Sequence, residues 1–128
     1  MKLIKNTRPE FVDERGGITR LLDDGTTAIM SVLLITSKAG SIRGNHYHKK
    51  DSHYCYMVSG KMEYTEQAVS TESPEKESAI VEAGDLIYSA PMVIHAMRFL
   101  EDSVFLAVAT ESRHQEAYEE DTVRVKLI

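Results

Sequence analysis

Hydrophobic and polar residues alternate with a period of two over most of the chain, the repeat expected of strands with one buried face. The clearest exception is Ala28–Ser37 (AIMSVLLITS), whose aliphatic and β-branched run predicts a strand buried on both faces. Gly16-Gly17 and Asp24-Gly25 punctuate a short N-terminal strand or hairpin at Ile18–Leu22. Further short strands are predicted at Ser41–His46, Ser52–Val58, Lys61–Glu66, Ser78–Glu82, Leu86–Ser89, Ala96–Leu100, Val104–Ala109 and Thr122–Leu127. Turn residues separate several of them, among them Ser59-Gly60 and Ala83-Gly84-Asp85. Many short strands at regular spacing predict an all-β sandwich or barrel. Two segments resist the pattern. Gln67–Lys76 is polar, contains Pro74 and reads as a surface hairpin loop; Glu111–Glu120 reads as a helical turn or an acidic connection. No repeat or linker divides residues 1–128, so one domain is expected.

At 128 residues and 42% hydrophobic content the chain can bury a core without disulfides, and its single Cys55 could not form one internally. The longest apolar run, Val32–Ile35, is far too short to span a membrane. Lys5, Arg8, Glu10 and Asp13 interrupt any secretory signal, so a cytoplasmic location is expected. Fifteen Lys and Arg against twenty Asp and Glu give a net charge of -5. Such a surface repels phosphate backbones, which argues against nucleic acid as a partner.

The histidines change the picture from fold to chemistry. His46 and His48 are spaced i, i+2, so on a strand both rings leave the same face. His53 opens the next strand, and His95 sits near the start of a distant one, after Pro91. A barrel can bring all four rings to one point, forming either an imidazole shell for a metal or a metal-free acid/base pocket.

The run Gly40-SIRGN-His46-Tyr47-His48-KKDS-His53-YCYMVS-Gly60 resembles the first cupin motif, and Gly84-DLIYSA-Pro91-MVI-His95 is similar to the second. The resemblance implies a double-stranded β-helix, the jelly-roll barrel of cupins. It also implies one divalent transition metal (Zn, Fe, Ni or Mn) held by His46, His48, His53 and His95. His53 replaces the carboxylate usual after His-x-His, Val93 a usual Gly, and Phe99 a frequent Asn.

If His53 points inward, period two sends Cys55 and Met57 inward as well, and the family pattern adds Met62, Tyr64, Met97 and Phe99. Tyr64, Cys55 and Tyr88 would supply polar tips in a pocket otherwise rich in Met and aromatic rings. Arg43, three residues before His46, would grip an anionic group at the rim. The string RGNHYHK is similar to that of cupins of nucleotide-sugar and capsular-polysaccharide biosynthesis, including 3,4-ketoisomerases and 3,5-epimerases.

That likeness implies an isomerase or epimerase acting on a sugar or nucleotide-sugar by proton abstraction beside a carbonyl. Tyr64, His46 and His48 are its expected proton carriers; Arg43, Cys55, Tyr88, Met97 and Phe99 are its expected substrate contacts. A His-ligated metal dioxygenase and a non-catalytic module binding a small ligand are the other classes the motifs allow. Leu3-Ile4 and Ile29–Ile35 offer more apolar strand than one barrel covers, so a homodimer is expected.

Overall fold

The computed structural model describes residues 1–69, 72 and 75–128. The chain runs β1 (Lys2–Ile4), β2 (Phe11–Asp13), β3 (Gly16–Ile18), β4 (Ser31–Ser37), β5 (Ile42–His48) and β6 (His53–Ser59). It continues through β7 (Lys61–Ala68), β8 (Glu77–Glu82), β9 (Leu86–Ser89), β10 (Val93–Phe99), β11 (Ser103–Ala109), α1 (Gln115–Asp121) and β12 (Thr122–Arg124). Two five-stranded antiparallel sheets result, ordered β1-β9-β6-β11-β4 and β12-β5-β10-β7-β8, with β2 and β3 paired as a separate hairpin. Consecutive strands β5 and β6 lie in different sheets, as do β9 and β10. The chain thus crosses between layers to wrap the jelly-roll barrel that the motifs imply.

The alternation does its work on the inner faces. In β6, Cys55 and Met57 point inward, and in β7 Met62 and Tyr64 do. With Val81, Ile87, Phe99 and Phe105 they form one buried cluster, closed by the stacked rings of Phe99 and Phe105 at 5.8 Å. Phe99 is therefore core packing at the closed end of the barrel, not a pocket contact.

The strand expected to be buried on both faces begins at Ser31 and alternates instead. Val32 and Leu34 are 61% and 69% exposed, while Leu33 and Ile35 pack on the core. The reason is position: β4 is the outer edge of its sheet, and nothing among the described residues covers its outward face. The N-terminal strand lies at Gly16–Ile18, short of the expected Leu22, and β12 stops at Arg124. The expected loop at Gln67–Lys76 falls partly outside the described residues, and the acidic connection contains α1. Among the described residues no helix is long and apolar enough to cross a membrane.

Asp85 pins the N-terminal strand to the barrel. It is 1% exposed, pairs with Lys5, and accepts the backbone N–H groups of Asn6 at 2.7 Å and Glu82 at 2.8 Å. Burial alone would raise its pKa; the Lys5 ammonium and the two N–H donors outweigh that and hold it below the usual carboxylate range. Asp85→Ala leaves those donors unanswered and is expected to lower unfolding free energy by about 2–3 kcal/mol in urea titration.

Candidate functional site

The site is built around an irregularity in β5. His95 on β10 pairs with His46, but the next residue, Ala96, pairs with Gly44, so Asn45 is an extra residue in the ladder. Gly44 (φ 82°) and Asn45 (φ 55°) both take left-handed backbone to make this bulge. A Cβ on Gly44 would lie 2.6 Å from the His95 carbonyl oxygen, so glycine is required there. The Asn45 carboxamide oxygen accepts the N–H groups of Leu127 (2.9 Å) and Ile128 (3.1 Å), which ties the C-terminus to the bulge.

The bulge turns His46 toward His95, with ring centroids 4.7 Å apart, and His48 lies 4.7 Å from His46 on the same face. One ring nitrogen from each of His46, His48 and His95 falls within 4.8 Å of the others. His48 Nδ1 meets the Thr122 hydroxyl at 3.2 Å. Its Nε2 and His95 Nδ1 are buried and unpartnered among the described residues. Two orphaned, uncharged ring nitrogens in a three-imidazole cluster fit a divalent transition metal.

His53 belongs to a different arrangement. Its Nδ1 lies 3.2 Å from Asp51 Oδ2, which also takes Arg113 Nη2 at 3.0 Å. Asp51 Oδ1 accepts the N–H groups of Thr110 (3.1 Å) and Glu111 (3.0 Å). A carboxylate only accepts, so the proton of neutral His53 sits on Nδ1 and Nε2 is the free base. Asp51 itself stays ionised: burial raises its pKa, but His53 and Arg113 bring it below the ordinary value.

Burial also keeps the rings neutral. It pushes His46 down to about 3 and His48 to about 4, with neighbouring imidazoles and Arg113 adding to the effect. Burial likewise lowers His53 and, more strongly, His95. A cavity of about 320 Å³ opens beside them. Arg43, Arg113 and Arg124 line it together with His46, His53, His95, Cys55, Met97 and Tyr118.

The structure thus brings Arg43, Cys55, Met97 and three of the four predicted histidines to one cavity wall, with His48 packed directly behind. Tyr64 does not line that cavity: its ring lies parallel to His95 at 6.4 Å, and its phenol is buried and bonded to Ser89 (2.8 Å) and Glu66 (3.2 Å). Burial raises its pKa far above the ordinary value. Tyr88 faces outward on β9, its ring 4.9 Å from Tyr54 and beneath the Lys2 ammonium. Cys55 lines the cavity, but burial holds its thiol up at about 12, so it packs as an apolar group.

Sequence reasoning missed Asp51, Arg113 and Tyr118. Tyr118 lies on α1, 5.6 Å from the His48 ring, with the Arg113 guanidinium 5.4 Å from its own ring. The i, i+2 spacing of Asp51 and His53 could have revealed the first; the other two lie in a run that reads as solvated acidic surface.

A family model described as Cupin matches residues 19–123. No curated protein matches the chain. Solved structures share its fold. The dTDP-4-dehydrorhamnose 3,5-epimerase of Sulfolobus tokodaii is 17% identical over 91% of this chain and 73% of its own, with a TM-score of 0.74. A double mutant of the 3,4-ketoisomerase QdtA of Thermoanaerobacterium thermosaccharolyticum, in complex with TDP, is 25% identical over 96% and 86%, at 0.73. A 3,4-ketoisomerase of Helicobacter canadensis is 20% identical over 96% and 89%, at 0.75.

The lowered histidine pKa values set an acid response. Unfolded imidazoles titrate near 6.5, so between about pH 6.5 and 4 the unfolded chain binds more protons than the folded one, and stability falls as the pH is lowered. Urea midpoints measured across that window are expected to drop steadily. His46→Phe should flatten the slope.

Proposed function

The chain belongs to the cupin family, and on that premise we propose that it is a sugar-nucleotide isomerase or epimerase working by proton transfer beside a carbonyl. One observation carries the reading: a neutral, buried His53 braced by Asp51 opens on a cavity walled by three arginines in an otherwise acidic protein. The fold likeness to 3,5-epimerases and 3,4-ketoisomerases supports it.

In this reading Arg43 receives the anionic diphosphate, and Arg124, whose Nη1 and Nη2 donate to Glu119 at 2.8 and 2.7 Å, joins it by exchanging that carboxylate for the phosphate. His53 Nε2 takes the proton from the carbon next to the substrate carbonyl; the C–H electron pair moves into the enolate. Asp51 stabilises the imidazolium that forms, and the fixed guanidinium of Arg113 faces the negative charge on oxygen. A proton then returns to the same carbon from the other face, giving the epimer, or to the neighbouring former carbonyl carbon while the adjacent hydroxyl passes its proton to the former carbonyl oxygen, giving the isomeric ketone. Tyr118, at the cavity mouth, takes the proton-delivering place expected of Tyr64.

His46, His48 and His95 would hold a divalent metal. When bound, such an ion supplies Lewis-acid polarisation of a carbonyl. The reading further takes residues 1–128 as one cytoplasmic domain whose partner is a small anionic ligand, with neither nucleic acid nor membrane involved. A second copy would cover the exposed face of β4.

Three measurements test this. In D2O with a dTDP-4-keto-6-deoxy sugar, the wild type should exchange the proton next to the carbonyl, followed by NMR. His53→Ala should slow that exchange by on the order of 10²–10⁴; equal exchange in both proteins overturns the assignment. Elemental analysis of protein purified without a nickel column should find about one transition-metal equivalent, abolished by His48→Ala with His95→Ala. Sedimentation should give twice the 14.4 kDa chain mass.

A further inference from the structure

Arg43, Arg113 and Arg124 all line the histidine cavity, but they differ in what answers their charge. Arg113 is locked by Asp51, a carboxylate only 3% exposed, with Nη2 donating to Oδ2 at 3.0 Å. Arg43 donates from Nε to the Ser37 hydroxyl at 2.7 Å and from Nη2 to the Thr36 carbonyl at 2.9 Å, both neutral groups. Arg124 differs from both. Its Nη1 and Nη2 donate to the two carboxylate oxygens of Glu119, yet the two side chains stand in solvent, at 63% and 45% exposure. Arg124 also pairs with His46 across β12 and β5, so its side chain leaves the same face as that ring and reaches the cavity.

Glu119 sits where a helix is poorly served by an acid. It lies in the last turn of α1 beside Glu120 and Asp121, with no basic residue in that turn to answer the negative end of the helix dipole. The seven-residue helix buries none of its side chains, so Glu119 gains nothing from packing either. What favours it there is Arg124, whose guanidinium holds the Glu119 carboxyl below the usual range and keeps it ionised.

An exposed ion pair exchanges partners readily. Glu119 meets one guanidinium, whereas a diphosphate can meet Arg124 and Arg43 together, because both line one cavity. Building on the proposed activity, we infer that Glu119 is a resident competitor for the anion site, holding Arg124 until a ligand with more than one anionic group displaces it. Entry then depends on charge: an anion that offers Arg124 no more than a carboxylate gains nothing by taking the place of Glu119. A pair closed about four-fifths of the time lowers the apparent affinity of the incoming anion roughly fivefold.

Isothermal titration of the full chain with inorganic pyrophosphate tests this on wild type, Glu119→Gln, Arg124→Ala and the double variant. Glu119→Gln keeps the shape of the side chain and removes its charge, and should tighten pyrophosphate roughly fivefold. Arg124→Ala should weaken it, and adding Glu119→Gln to that background should give no gain. Glu116→Gln is the control, since it removes an exposed acid from the same helix without touching Arg124; it should change affinity by less than about twofold.

Equal tightening by Glu116→Gln and Glu119→Gln would reduce the effect to the general field and overturn the competitor. So would tightening that survives without Arg124. Weaker binding in Glu119→Gln overturns it as well, because Glu119 would then be positioning Arg124 for the ligand. Absence of pyrophosphate binding in wild type and Glu119→Gln alike has the same consequence. Proton exchange on a keto-sugar nucleotide, with equal pyrophosphate affinity in these two proteins, removes the competitor and leaves the isomerase reading standing. The competitor pattern without any proton exchange does the reverse.

Discussion

Everything at the open end of the barrel depends on the burial of one carboxylate. Asp51 is 3% exposed, and an ionised acid at that depth must be answered by donors on every side or it costs several kcal/mol. The donors come from three places: the His53 ring, the Arg113 guanidinium, and the backbone where β11 gives way to the C-terminal segment. Satisfying that charge therefore orients the base and anchors the chain that carries Tyr118 and Arg124. Asp121 repeats the device from the other direction, accepting the N–H groups of Lys50 (2.8 Å) and Asp51 (3.1 Å).

The same economy of charge explains how an acidic protein can hold an anionic ligand. Most acidic residues face solvent, where screening limits their reach to roughly 10 Å, while Asp51 and Glu119 pair with Arg113 and Arg124. Arg43, Arg113 and Arg124 nonetheless line one cavity and place their charges around it. Their proximity, with burial, keeps the imidazoles unprotonated, so the pocket combines fixed cations with neutral bases. Enolate chemistry needs that combination: a group free to accept a proton, and a charge already in place for the oxygen that becomes negative.

The positions of most strands and the shared face of His46 and His48 were legible in the sequence because both follow from local rules, whereas the approach of all four rings needed the barrel that the cupin motifs imply. Period two sends Cys55 and Met57 inward, the family pattern adds Met62 and Tyr64, and His-x-His places two rings on one face. What sequence patterning could not show was depth along the barrel. Tyr64 and Phe99 do point inward, but below the cavity, while Tyr118 reaches it from a helix with no buried residue. Nor could it show which face Tyr88 occupies, since β9 is only four residues long and a one-residue phase error reverses it. The Arg113 partnership spans sixty-two positions in the chain, a distance at which composition carries no signal.

Strand β4 joins the site to the outer surface of the molecule. Across the outward face of its sheet, Leu34, Leu106 and Tyr56 lie in one row, and Val32, Val108 and Tyr54 in the next. Both rows end on an edge strand whose outer side chains are open to solvent. Alternation then turns the intervening residues inward: Ile35 lines the histidine cavity, and the Thr36 carbonyl and Ser37 hydroxyl hold Arg43. A seven-residue strand is too short for its two faces to move independently. Covering the apolar rows would therefore also steady the support of Arg43, because the edge strand that carries one set of contacts carries the other.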